Sequence, residues 1–192
     1  MEELISTHPD KVKAIGVSNY STMYLDELLP QAKIVPAVNQ IENHPALPQQ
    51  EIVDYCKAKG IVITAYSPLG STGGPLFKAE PIVSVAEKKG VTPATVLLSW
   101  HCMSLFPLSI FLSPLFFDLV RPANDNVVAR GSAVLAKSVT PSRIEDNMKL
   151  VQLDKEEVDL IGKYSAELAA KTGFQRYIFP PFGVHFGFPD KM

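Results

Sequence analysis

The chain has 192 residues, of which 46% are hydrophobic and 20% charged, and its formal net charge is −2. That length fits one domain, or a piece of a larger one, with enough apolar mass for a core. The basic residues are scattered, which excludes the charged stripe of a nucleic-acid binder. Cys56 and Cys102 fit neither metal-ligand spacing nor a secreted disulfide framework, so no metal is expected and a reducing, cytoplasmic setting is.

The N-terminal stretch MEELISTHPD carries neither a signal-peptide nor a transit-peptide pattern. From there a strand-then-helix rhythm begins. Residues 13–18 (KAIGVS), 37–42 (AVNQIE), 61–67 (IVITAYS) and 133–138 (AVLAKS) are short, apolar and rich in Val or Ile, as buried parallel strands are. The first three start at 13, 37 and 61, a constant 24 residues apart, the length of a compact strand–helix unit.

The intervening helices follow from caps and spacing. Asn19 or Ser21 caps a helix over 21–29 with Met23, Leu25, Leu28 and Leu29 on its apolar positions. Pro48 opens the next, Ile52, Val53 and Cys56 face its core, and Gly60 stops it. Residues 81–89 and 92–101 form a helical pair, the second capped by Thr92 with Pro93 at its first position. Thr140-Pro141 starts another helix, and Asp154-Lys155-Glu156-Glu157 is a capping box for a last helix to about Leu168.

Repeated βα units favour an α/β barrel or a doubly wound sheet. Polar residues gather where each apolar strand gives way to a loop: Ser18-Asn19, Gln40 with Asn43, Tyr66-Ser67 and Lys137-Ser138. That is the pattern of a TIM-barrel active face. A doubly wound nucleotide fold would need a glycine-rich first turn, and no G-x-G-x-x-G occurs. Lys137 and Ser138 precede the helix start at Thr140-Pro141, with Arg143 in its first turn. Two cations, a hydroxyl and unpaired helix N–H groups around one spot suit a phosphate.

Taken singly, these residues have plainer readings. Ser18 and Asn19 could cap a helix, Lys137 and Arg143 could be solvated surface, and Tyr66 a packed aromatic. Their joint placement at four strand ends favours a binding site. His44 before Pro45 reads as a turn residue, His101 after Trp100 as packing or a helix-end charge, and Cys56 as core.

The motifs Lys13-Ala14-Ile15-Gly16-Val17-Ser18-Asn19-Tyr20, Asn39-Gln40-Ile41-Glu42, Tyr66-Ser67-Pro68-Leu69-Gly70 and Lys137-Ser138 with Arg143 and Asn147 resemble, in order and spacing, the aldo-keto reductases. The tail, residues 177–191, resembles fungal members of the glycerol dehydrogenase or aldehyde reductase type. The resemblance covers most of the chain except about 102–130. Ala136 stands where proline is common, and Asp146 where glutamate is.

The resemblance implies a (β/α)8 barrel that moves a hydride between NADPH and a small-molecule carbonyl or alcohol. It places Ser18, Asn19 and Gln40 on the nicotinamide carboxamide and stacks Tyr66 on the nicotinamide ring. Ser67, Leu69 and Ser71 line the pyrophosphate. Lys137, Ser138 and Arg143 grip the 2′-phosphate with help from Thr140, and Asp146 and Asn147 meet the adenine. The family's catalytic tyrosine, lysine, aspartate and histidine lie on its first four strands. Residues 13–18 correspond to the fifth, so no catalytic residue is expected here. The chain reads as a single partial domain, the C-terminal half of the barrel (strands 5–8 with their helices), inactive alone and open to self-association through unpaired strand edges. The tail from 169, with Phe174, Tyr177, Phe179, Phe182, Phe186 and Phe188, would line the substrate pocket.

The interval from 61 to 133 is 72 residues, three times the earlier spacing. Most of the excess is an apolar insertion at about 102–128, which has no family counterpart. A retained intron would account for it, and an internal methionine for Met1. Two alternatives to the reductase remain at this stage. One is a non-catalytic NADPH-binding or regulatory module. The other is a membrane-attached protein using residues 102–120, against which stand Pro107, Pro114 and Asp118.

Overall fold

The computed structural model describes residues 1–70, 74–101 and 130–178. The insertion at 102–128, the apolar run 102–120, Cys102, Ser71 and the tail beyond Ile178 lie outside the described residues. The elements run α1 (Glu3–Thr7), β1 (Val17–Ser18), α2 (Thr22–Leu28), β2 (Val38–Glu42), α3 (Gln50–Ala58), β3 (Val62–Tyr66), a 3₁₀ turn (Pro75–Lys78), α4 (Glu80–Lys89), α5 (Pro93–His101), β4 (Ala133–Leu135), α6 (Pro141–Asn147) and α7 (Lys155–Thr172). The expectation of an α/β fold with a parallel sheet holds. The four strands form one sheet in the order β1-β2-β3-β4, and every pairing is parallel.

The outer strands are shorter than the sequence pattern predicts. β2 and β3 pair over five residues each, Val38↔Val62 to Glu42↔Tyr66. β1 pairs only at Val17 and Ser18, and β4 only from Ala133 to Leu135. Each outer strand has one neighbour and so half the ladder to hold its backbone. Pairing does continue weakly past β1, since the Ala37 N–H donates to the Ile15 carbonyl at 2.8 Å. Gly16 sits within this contact, where a Cβ would lie 2.4 Å from Val38 Cγ2 and 2.8 Å from its carbonyl oxygen. Only glycine lets the two strands approach so closely.

Strand alternation divides the sheet into two faces. Val17, Ile41 and Ile63 point toward α2 and α3, packing with Leu25, Ile52, Val53, Cys56 and Ile61. The thiol of Cys56 is pushed up by burial, which suits the predicted core role and makes it a poor nucleophile. A second cluster joins α4, α5 and α7 around Ile82, Val85, Val96, Leu97, Trp100 and Ile161. α5 is buried at every position from Thr95 to His101, as befits a helix enclosed on all sides. On the other face Val38, Gln40, Val62, Thr64, Tyr66 and Ala133 are only half-buried, and Leu135 is 50% exposed.

Local chemistry sets the helix ends. Ser21, not Asn19, caps α2, accepting from the Tyr24 N–H at 3.4 Å. Thr92 Oγ1 accepts from the Thr95 N–H at 3.1 Å beside Pro93, as predicted. The Asp154–Glu157 capping box is formed in both directions, at 2.9 Å each way, and α7 runs on to Thr172, past the expected end. Pro48 does not open α3. The helix starts two residues later because the Pro48 carbonyl accepts from Asn43 Nδ2 and Arg130, while Gln49 turns left-handed at φ 43° and donates its side chain to the Glu42 carbonyl. The sequence reading missed α1 altogether. That helix is anchored through the preceding Glu2, whose carboxylate accepts from the Lys33 and Ile34 N–H groups at 2.7 and 2.8 Å. No helix among the described residues is long and apolar enough to cross a membrane.

Candidate functional site

Parallel strands put all their C-terminal ends at one edge of the sheet, so the polar residues there converge. Ser18 faces the same side as Gln40, its register partner. The Ser18 hydroxyl donates to the Gln40 carbonyl at 3.0 Å, and the Asn19 N–H donates to that same oxygen at 2.9 Å. Gln40 aligns next with Thr64, and Thr64 with Ala133, which ties the row across all four strands. One step further along, Glu42 aligns with Tyr66 and Tyr66 with Leu135.

Two of these ends are turned by residues that rarely adopt the required backbone. Asn19 has φ 58° and Ser67 has φ 50°. Asparagine tolerates the left-handed region, whereas serine there is held by its surroundings at a cost of about 1 kcal/mol or more. Such positions cluster where a side chain must be aimed. Here the turn after β1 lets the Tyr66 hydroxyl reach past β2 and donate to Asn19 Oδ1 at 3.0 Å. The Asn19 amide nitrogen is then the group left to donate outward. Burial pushes the Tyr66 hydroxyl up, and the Glu42 charge adds to this while Arg176 opposes it.

Behind Tyr66 lies a buried polar cluster that the sequence reading did not assemble. Glu42 is fully buried, with His44 Nε2 3.1 Å from its Oε1 and Arg176 Nη1 3.5 Å from its Oε2. His44 does sit in a turn, bridging to Leu47, but it is wholly buried rather than a surface loop residue. His101 is also fully buried. Its burial, with Arg130 and His44 nearby, holds its ring well below the usual histidine range. It is therefore a neutral packing residue against Trp100, with ring centroids 4.9 Å apart, and not a helix-end charge. The signal for Glu42 was present, since a carboxylate ending a buried central strand needs a partner. The partner, Arg176, is 134 residues away.

The far side of the site is built more loosely. Lys137 is exposed and Ser138 half-buried, two and three residues beyond β4. Ser138 Oγ accepts from the Thr140 N–H at 3.2 Å, and Thr140 precedes α6 without a side-chain cap bond. Arg143 is exposed on α6, with Asp146 and Asn147 half-buried at its end. Lys149 pairs with Asp146 at 2.8 Å, whereas neither Lys137 nor Arg143 has an ion-pair partner among the described residues. Leu69 is half-buried in the turn after β3, packed against the α4–α5–α7 cluster. Among the described residues no group of three metal-ligating side chains converges.

A profile of the Aldo/keto reductase family matches residues 10–166. A D-galacturonate reductase of Hypocrea jecorina is 55% identical, over 100% of this chain and 53% of its own length. A glycerol 2-dehydrogenase (NADP(+)) of Saccharomyces cerevisiae is 42% identical, over 96% of this chain and 50% of its own. Among solved structures, a silkworm (Bombyx mori) aldo-keto reductase complexed with NADPH is 30% identical with a TM-score of 0.63, covering 85% of this chain and 45% of that one. The chain thus spans about half the length of the relatives it matches. By sequence and by fold, it belongs to the aldo/keto reductase family.

Proposed function

We propose that this chain is the cofactor-binding portion of an NADP(H)-dependent aldo-keto reductase, its sheet being strands five to eight of a (β/α)8 barrel. The observation that carries the reading is the single edge where Ser18, Asn19, Gln40 and Tyr66 meet, with Lys137 and Arg143, which have no ion-pair partner among the described residues, beyond the neighbouring strand. The half-buried second face of the sheet supports the barrel, because parallel sheets are covered on both faces. Four further strands would cover them.

The donor set fits the dinucleotide. Asn19 and Gln40 offer amide groups to a carboxamide, and Ser18 a hydroxyl. Tyr66 presents a ring at the same edge for the nicotinamide. Ser67, Leu69 and Ser71, which follow β3 in sequence, would line the pyrophosphate, and Asp146 and Asn147 would meet the adenine. Lys137 and Arg143, with Ser138 and Thr140, would hold the 2′-phosphate, since neither cation has an ion-pair partner among the described residues. When bound, the cofactor supplies a hydride for a carbonyl. The protein must supply a proton, and every described tyrosine whose acidity is shifted (Tyr55, Tyr66, Tyr164 and Tyr177) is shifted upward. None of these four is a stronger acid than an ordinary tyrosine. With the family's catalytic residues expected on the first four strands, the reading is of a chain that binds NADP(H) without reducing a carbonyl by itself.

Fluorescence titration of the 192-residue chain with NADPH and NADH tests the reading. NADPH should bind more tightly than NADH, and incubation with an aldehyde should not consume it. Replacing Lys137 and Arg143 together by Ala should weaken NADPH by ~10–100-fold, the value of one or two charged hydrogen bonds, with little change for NADH. Equal weakening of both would refute the phosphate assignment.

A further inference from the structure

A buried carboxylate is costly unless its oxygens are well supplied with donors. Glu42 has no solvent exposure, and most of its donors come from a single short segment far along the chain. The Tyr177 N–H donates to Oε1 at 2.7 Å. The Ile178 N–H donates to Oε2 at 3.1 Å and lies 3.3 Å from Oε1. Arg176 Nη1 adds its charge at 3.5 Å, and that guanidinium side chain is itself only 5% exposed. Two backbone amides and one cation from three consecutive residues thus meet one carboxylate.

The same segment is fixed on either side of that point. The Gln175 N–H donates to the Ala46 carbonyl at 2.9 Å. The Tyr177 ring packs on His44, with centroids 5.0 Å apart. Tyr177 Cε2 also closes on Gly70, where a Cβ would lie 3.4 Å from it and 3.2 Å from Leu76 Cδ1. Gly70 has φ 75° and ends the turn after β3. The segment therefore runs from the end of β2 to the loop after β3, beside Tyr66, which is the register partner of Glu42.

We propose that Glu42 is a positioning residue whose carboxylate latches residues 175–178 across the ends of β2 and β3, making that strap one wall of the nucleotide site. The latch stands on the contacts above. Its consequence for binding rests on the NADP(H) reading.

Hydrogen exchange of the full chain tests the latch without any ligand. Glu42→Gln keeps the shape but cannot ion-pair with Arg176 or offer two acceptor oxygens. The amides of Tyr177 and Ile178 should exchange about tenfold faster or more, as expected on loss of a charged hydrogen bond, while β2, β3 and α7 keep their protection. Glu42→Asp, which keeps the charge on a shorter arm, should speed exchange by less and serves if the Gln variant does not fold. Unchanged exchange at residues 177 and 178 in a folded variant overturns the latch. NADPH titration then separates the two claims. Failure of the unaltered chain to bind NADPH refutes the cofactor reading and leaves the latch to the exchange result. If the unaltered chain binds and a variant with a freed strap binds equally well, the strap is not a wall of the site.

Discussion

The ends of β2 and β3 carry a dense hydrogen-bond network, whereas the segment after β4 stands open to solvent. At the first, Gln40, Glu42, Asn19 and Tyr66 share hydrogen bonds with one another and with residues 175–178. At the second, β4 has three residues, α6 buries none, and Lys137 and Arg143 carry no partners among the described residues. The difference suits the ligand each end is proposed to meet. A nicotinamide ring and its carboxamide need groups whose direction matters, and direction requires rigid neighbours. A phosphate is held by charge, which acts over distance and tolerates mobile side chains.

The sharpest way to break this comparison is to remove equivalent apolar bulk from both regions. Ile41 is fully buried between β2 and α3, while Leu135 is half-exposed at the end of β4. Ile41→Ala should cost about 2–5 kcal/mol in urea unfolding, from lost transfer energy plus an unfilled cavity. Leu135→Ala should cost under about 1 kcal/mol, because much of its surface already meets water. Equal costs would show that β4 is packed as firmly as β2.

Acid should find the wired region first. His101 is wholly buried at the end of α5, and the Asn43 and Pro68 backbones beside it offset only part of the cost of burying its charge. Burial holds its native pKa well below the ordinary 6.5, and the Arg130 and His44 charges act in the same direction. The unfolded chain then takes up a proton near pH 6.5 that the folded chain refuses. The stability from neutral His101 is complete above that pH and is lost as pH falls toward the depressed native value. The slope approaches about 1.4 kcal/mol per pH unit. Unfolding midpoints between pH 7.5 and 5 should show this slope, and His101→Leu should flatten it. A slope that survives the substitution would assign it elsewhere.

How much of this could be read from the sequence depends on how local its cause is. β2 and β3 were legible to within a residue or two, because a Val/Ile run between loops is a local signal. The caps at Ser21, Thr92 and Asp154 were legible for the same reason, since each acts within three residues. β1 and β4 were read too long, because the pattern that marks a strand does not count its neighbours. α3 was read as starting at Pro48, because the bonds that claim the Pro48 carbonyl come from Asn43 and from Arg130, 82 residues away. The strand-end residues Ser18, Asn19, Gln40 and Tyr66 lie at one edge of the sheet because its strands are parallel. What joins it to Glu42, His44 and the strap at 175–178 is tertiary, and no spacing announces it.

Helix caps give the finest probe of the same contrast. Ser21 stands at the wired end, buried, with its hydroxyl accepting from the Tyr24 N–H at the start of α2. Thr140 occupies the corresponding place before α6 but makes no side-chain bond to that helix. Removing a hydroxyl that serves a helix N–H leaves a buried donor unpaired, whereas removing one that serves nothing leaves the helix as it was. Ser21→Ala should therefore lower unfolding stability by about 1 kcal/mol, and Thr140→Ala by only about 0.3 kcal/mol or less. Adding NADPH should widen the effect of Thr140→Ala if that hydroxyl meets the phosphate, because ligand binding then contributes to the folded state alone. A Thr140 cost that matches that of Ser21 without ligand would mean that α6 is already capped, and that the open end of the site is as ordered as the wired one.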